Sequence, residues 1–174
     1  SILIQLARQL TQLRVVATAS RAETRAWCLE LGAHLVIDHS KPLAAELKAA
    51  GIAEVDMVAS LTQTEQHYAQ IIESLKPQGQ LAVIDDMKTL DAMPLKTKSL
   101  SLHWEMMFAR SRFETPDIAE QGALLAEVAA LVDAGRVRTT ANASFGTINA
   151  ANLRRAHALI ESGKAQGKVV LAGF

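Results

Sequence analysis

The sequence predicts an α/β fold in which a parallel sheet is covered by helices on both faces. Three observations predict it. Short apolar segments rich in β-branched residues recur along the chain, helical segments separate them, and the connections are short. The composition agrees: 174 residues with 49% hydrophobic and 21% charged side chains describe a folded globular chain and exclude disordered and collagen-like classes.

Ile2, Leu3, Ile4, Leu6, Ala7 and Leu10 fall on a helical period from the first residue onward. Residues 14–19 (RVVATA) read as a buried strand, as do 34–38 (HLVID), 55–59 (VDMVA) and 80–84 (QLAVI). Leu100, Leu102 and Trp104 alternate with polar residues and predict a fifth strand near a sheet edge. Helices fill 21–31, 42–50 and 64–75. Ser20 with Glu23 and Thr62 with Glu65 fit the S/T-x-x-E capping box, while Gly32, Gly51 and Pro77 with Gly79 supply the stops. At Thr115 the style changes: Thr115-Pro116-Asp117 opens a helix to about Ala134, with Pro116 at its first position and an acid in its first turn. A strand at 139–145, a helix at 149–162 and a strand at 168–171 complete the chain. The change near 115 is the one candidate domain boundary.

Eighteen basic residues balance eighteen acidic ones, so there is no basic footprint for nucleic acid or an anionic membrane. Apolar runs of about five residues do not span a bilayer, and no basic-then-apolar leader opens the chain. Cys28 is the single cysteine, which excludes an internal disulfide and a cysteine zinc cluster, and the 5 histidines lack helical pairing. No zinc is expected in this chain, and a cytoplasmic location is expected. A helical pattern that starts at Ser1, with no preceding turn and no initiator methionine, is read as a segment of a longer polypeptide.

Ligands of open α/β sheets bind beyond the carboxyl ends of the strands. That rule selects Ala19-Ser20-Arg21, Asp38-His39-Ser40, Ser60-Leu61-Thr62 and Asp85-Asp86-Met87. In a dinucleotide-binding unit a glycine-rich turn leads into the first helix, which here places it upstream of Ser1. An acid about 20 residues further on then binds the ribose. Ser20 and Arg21 stand at that point instead. A hydroxyl and a guanidinium suit a 2′-phosphate and favour NADP over NAD, though the same pair serves equally as an N-cap and a solvated first-turn residue. His39 ends a strand where an adenine can stack, and is equally well a surface histidine. Asp85 and Asp86 are neighbours that point apart, which fits a turn better than a general acid pair. Cys28, between Trp27 and Leu29 in a helical pattern, reads as core, and Met106-Met107-Phe108 fits core packing or an interface better than a substrate pocket. No catalytic residue is assigned.

The segments SILIQLARQL, VVATASRAETRAWCLELGAHLVIDHSKPL, LKPQGQLAVIDD and INAANLRRAHALIESGKAQGKVVL resemble the medium-chain dehydrogenase/reductase superfamily. Within it they are most similar to the zinc-type alcohol dehydrogenase-like proteins, a zinc-free branch near the quinone oxidoreductases. The resemblance covers essentially the whole chain and implies the C-terminal half of a protein roughly twice as long. It implies a Rossmann-like doubly wound parallel sheet over residues 1–115 without its first strand and glycine loop, and a segment 116–174 that returns to a GroES-like catalytic domain. The strand order 3-2-1-4-5-6 then leaves a gap between the second and fourth strands. A 1–174 polypeptide with two unpaired central edges is expected to be poorly stable or to borrow a strand, and to be inactive alone.

The resemblance also implies cofactor-binding residues. Ser20 and Arg21 would hold the 2′-phosphate, and His39 would lie beside the adenosine. Ser60 and Leu61 would line the cofactor channel, Asp85, Asp86 and Met87 would approach the nicotinamide, and Lys168 would contact the pyrophosphate. The implied activity is NADPH-dependent, zinc-independent hydride transfer to a quinone or another α,β-unsaturated carbonyl. The implied assembly is a homodimer joined through the edge strand at Leu100–Trp104. The alternatives are a zinc-dependent alcohol dehydrogenase with its ligands upstream, and a non-catalytic nucleotide-binding module that senses redox state.

Overall fold

The computed structural model describes residues 1–174. Along the chain, α1 (Ile2–Leu10), β1 (Val16–Thr18), α2 (Ala22–Glu30) and β2 (Leu35–Ile37) come first. They are followed by α3 (Leu43–Ala49), β3 (Val55–Ser60), α4 (Thr64–Ser74), β4 (Leu75–Val83), α5 (Met93–Lys96) and β5 (Ser101–Trp104). The last elements are α6 (Ala109–Phe113), α7 (Glu120–Asp133), β6 (Ala141–Ser144), α8 (Ala150–Glu161) and β7 (Lys168–Val170). The alternation is that of a Rossmann-like α/β fold, as the sequence predicts. Two compact units contain these elements: Ser1–Val36 together with Gly122–Phe174, and Ile37–Gln121. No helix is long and apolar enough to cross a membrane.

In the second unit, β3, β4 and β5 form a parallel sheet with β4 in the middle. Ser60 of β3 lies opposite Val83, and Val83 opposite Trp104, so the carboxyl ends of all three strands form one row. Ile71 and Ile72 of α4 pack with Leu75, Leu81, Val83 and Leu95 into a core in which Leu75, Leu81 and Val83 have no exposure at all. Each such side chain contributes about 1.5–3 kcal/mol on burial, which fixes α4 against the sheet. β1 pairs with β2 alone, and β3 pairs with β4 alone. β1 and β3 therefore each keep one edge without a strand.

The first unit has a smaller core of Ala19, Ala33 and Val36, against which Ile4, Ala17 and Cys28 pack. Gln5 is buried there because its amide pairs with both backbone groups of Arg138, donating to Arg138 O at 3.1 Å and accepting from Arg138 N at 2.8 Å. β6 and β7 pair in parallel, and Asn149 caps α8 by accepting from Asn152 N at 2.9 Å.

Three local expectations are corrected. Pro77 and Gly79 do not stop α4, which ends at Ser74. They lie inside β4, where β3 advances from Val55 to Met57 while β4 advances from Leu75 to Gln80. The extra residues form an excursion with Gln78 at φ 63°. It needs glycine at 79, because a Cβ there would stand 2.9 Å from Lys76 O and 3.1 Å from Asp56 O. Neither capping box forms: the residues preceding α2 and α4 are Arg21 and Gln63, neither with a side-chain cap. Finally, α7 starts at Glu120 rather than at Pro116. Asp117 accepts instead from Thr115 Oγ1 at 2.6 Å and from Arg110 Nε at 2.8 Å, which holds 115–118 as a turn.

Candidate functional site

The carboxyl ends of β3 and β4 place Ser60 and Asp85 on either side of the first residue of α4. Thr64, fully buried, joins them: its hydroxyl lies 2.6 Å from Ser60 Oγ and donates to one Asp85 oxygen, while its backbone N–H donates to the other at 2.9 Å. Asp85 thus supplies the N-terminal cap of α4 from a neighbouring strand end. Burial pushes the Asp85 carboxyl up, but the side-chain and backbone hydrogen bonds from Thr64 outweigh it and hold the group below the usual carboxylate range.

Beside this network lies an open cavity of about 540 Å³ lined by Thr62, Gln63, Glu65, Gln66, Asp85 and Asp86. Gln63 takes a left-handed conformation (φ 59°, ψ 28°) that turns the chain from β3 into α4. Three carboxylates and no base line the cavity, so it suits groups that donate hydrogen bonds, such as ribose hydroxyls or a carboxamide, and repels phosphate. Asp86 reaches this cavity and Leu61 beside it is exposed, whereas Met87 packs against the core of the second unit. His39 lies after β2 with its ring 6.1 Å from that of His67 in an edge-on arrangement, and the Nδ1 of His67 is buried without a hydrogen-bond partner. No group of three or more histidine, cysteine or acidic side chains gathers to hold a metal ion.

In the first unit the structure puts Arg21 immediately before α2 and engages its guanidinium. It donates to Glu23 Oε1 at 2.7 Å and to the carbonyls of Gly163 and Lys164 at 3.3 and 3.2 Å. Of five guanidinium N–H donors these contacts take three, so two remain for a phosphate. The Ser20 side chain is exposed and stands next to a helix start that no side chain caps. The residues present therefore fit a 2′-phosphate, with Glu23 as a competitor for the same guanidinium. The Glu23 carboxyl is held below its ordinary range by its own backbone N–H and by Arg21. Lys168 is exposed on β7. Cys28 is half-buried and its thiol is pushed up by burial, consistent with a packing role.

The residues that sequence reasoning missed are Thr64, Gln63 and Glu23. The capping motif pointed to Thr62, two residues short of the threonine that carries the network, and Glu23 was read as a partner of Ser20 rather than of Arg21.

The zinc-binding dehydrogenase family profile matches residues 31–171. The chain belongs to the zinc-binding dehydrogenase family. A zinc-type alcohol dehydrogenase-like protein of Staphylococcus aureus (strain MSSA476) is 34% identical over 160 residues, 91% of this chain and 48% of that protein. The crystal structure of a candidate zinc-dependent alcohol dehydrogenase protein from Rhizobium etli CFN 42 superposes with a TM-score of 0.94 at 54% identity, covering 99% of this chain and 51% of that one. The CurK enoyl reductase structure, at 20% identity and a TM-score of 0.76, shares the fold. The chain spans about half the length of the relatives it matches. It is an oxidoreductase-family chain with a Rossmann-like fold.

Proposed function

We propose that this zinc-binding dehydrogenase-family chain is the cofactor-binding part of an NADPH-dependent, zinc-independent cytoplasmic reductase acting on a quinone or another α,β-unsaturated carbonyl. The observation that carries the reading is the pairing, in a dehydrogenase-family chain, of an acidic hydroxyl-lined cavity after β3 and β4 with a serine–arginine pair before α2. When bound, the reduced nicotinamide supplies a hydride. The residues of this chain bind and orient. Ser20 and Arg21 take the 2′-phosphate, His39 flanks the adenosine, and Lys168 contacts the pyrophosphate. Ser60 and Leu61 line the channel, and Asp86 accepts from a hydroxyl or carboxamide in the cavity. Asp85 holds the β3–α4 turn in place, and Met87 supports that loop from the core side. The edge strand β5, with Trp104 58% exposed, is the proposed homodimer contact. Residues 116–174 are proposed to return to a catalytic domain.

Steady-state assay of the whole protein with NADPH and a simple quinone tests this: turnover with NADPH and little with NADH supports it, and absence of quinone reduction removes it. The names of the relatives favour a second reading, a zinc-dependent alcohol dehydrogenase. Stoichiometric zinc in the purified protein, with alcohol oxidation abolished by chelation, would establish that reading instead.

A further inference from the structure

We propose that the first unit carries an anion site separate from the cofactor positions, formed by Arg8, Arg136 and Arg138, whose ligand is an oxyanion of two or more negative charges. These residues line an open cavity of about 350 Å³ that Glu30, Leu31 and Gly32 border at the far end of α2 from Arg21. Roughly 15 Å of helix separates the two ends. Three guanidiniums face one carboxylate, a formal excess of two positive charges (3 − 1) in a chain whose net charge is zero.

Two of the three are held in place before any ligand arrives. Arg138 stacks over Trp27 at 4.8 Å and donates to Glu30 Oε2 at 3.0 Å, while the buried Gln5 clamps its backbone. Arg136 donates to Gln9 Oε1 at 3.2 Å and to Gln9 O at 3.4 Å. The stem of Arg8 lies over Gly32, its Cγ 3.2 Å from where a Cβ would stand, and its guanidinium has no acceptor in the chain. Of five donors on each guanidinium, Arg138 uses one, Arg136 two and Arg8 none. Such planar, partly immobilised forks match phosphate and carboxylate oxygens.

Neutralising helix C-termini does not account for the cluster. Near the end of α2 the carbonyls of Trp27, Leu29 and Cys28 are taken by the N–H groups of Leu31, Gly32 and Ala33, and in α7 those of Val132 and Leu131 by Gly135, Arg136 and Val137. Only Gln9 O, at the end of α1, takes a guanidinium.

Calorimetric titration of the whole protein with pyrophosphate and with citrate, at constant ionic strength, tests the site. Wild type is expected to bind at least one probe, and Arg8→Gln combined with Arg136→Gln to weaken it at least tenfold. Arg21→Ala is expected to retain it. Glu30→Gln removes the competing carboxylate and is expected to tighten binding several-fold, a gain that misfolding does not produce. Failure of both probes to bind wild type, equal binding by the double variant, or no gain with Glu30→Gln overturns the proposal.

Discussion

Replacing Asp85 with alanine removes the acceptor for both donors of Thr64 and leaves the start of α4 uncapped. Two terms set the size of the effect. Loss of a helix cap costs about 1–2 kcal/mol. The Thr64 hydroxyl, buried and reduced to one partner in Ser60, adds about 1 kcal/mol, the low end for a deprived buried polar group, because the Ser60 contact at 2.6 Å survives. The expected destabilisation is therefore about 2–3 kcal/mol. Asparagine keeps one of the two oxygens that accept from Thr64, so it loses the charge and one hydrogen bond, for about 1–1.5 kcal/mol. Urea unfolding followed by fluorescence reads both: with a slope near 2 kcal/mol per molar, alanine moves the midpoint down by about 1–1.5 M and asparagine by about half that. The pH dependence carries the sign. The folded-state pKa of Asp85 is lowered, so its contribution is complete above the unfolded value of about 3.9 and fades as pH falls through the lower folded value. Asparagine should flatten that acid limb. An alanine variant within about 0.5 kcal/mol of wild type, or an asparagine variant as damaged as alanine, would refute the reasoning.

Three further outcomes are expected. Arg21→Ala should weaken NADPH at least tenfold while leaving NADH nearly unchanged, and Glu23→Gln should strengthen NADPH by freeing the guanidinium it holds at 2.7 Å; equal loss of both cofactors in Arg21→Ala contradicts the 2′-phosphate role. Gly79→Ala should lower stability by about 1–3 kcal/mol, because its Cβ would press against the Lys76 and Asp56 carbonyls; thermal melting at the wild-type temperature would count against the excursion. Cys28 should alkylate at least tenfold more slowly at pH 7.5 than a free cysteine peptide, its thiol being half-buried and raised by that burial; rapid labelling contradicts the packing role.

The strands were legible because short apolar runs with β-branched residues, VDMVA and QLAVI among them, recur between helical segments, although β3 leaves Met57 and Ala59 exposed. Helix starts were less legible. A capping motif is a local pattern, and the cap of α4 comes from Asp85, which stands 21 residues from Thr64 in the chain and adjoins it only once β3 and β4 pair. Pro77 and Gly79 read as a helix stop for a similar reason: only the register against β3 shows that the strand has already begun. Asp117 looked like a helix-first-turn acid until Arg110 and Thr115 claimed it. For the site, the carboxyl-end rule selected Ser60, Asp85 and Asp86 by topology alone. It did not weigh the competition for each side chain, so the engagement of Arg21 by Glu23 and of Met87 by the core emerged only from packing.

The two helix starts at these strand ends differ in a way that bears on ligand charge. The N-terminus of α4 is a ready anion site whose partial positive charge is already met by Asp85, and the cavity beside it adds Glu65 and Asp86. A phosphate there would meet three carboxylates. The N-terminus of α2 has no side-chain cap, and the residue before it is an arginine with two donors still free. A dinucleotide concentrates its charge on phosphates and its neutral hydrogen-bonding groups on ribose and base. This chain keeps the same division, guanidinium at one helix start and carboxylates at the other. Of the two helix starts, the one at α2 is thus the one suited to a phosphate, which is the role the proposed function gives Arg21. On the proposed NADPH reading, Glu23 competes with the 2′-phosphate for Arg21, so neutralising its carboxylate favours the phosphorylated ribose.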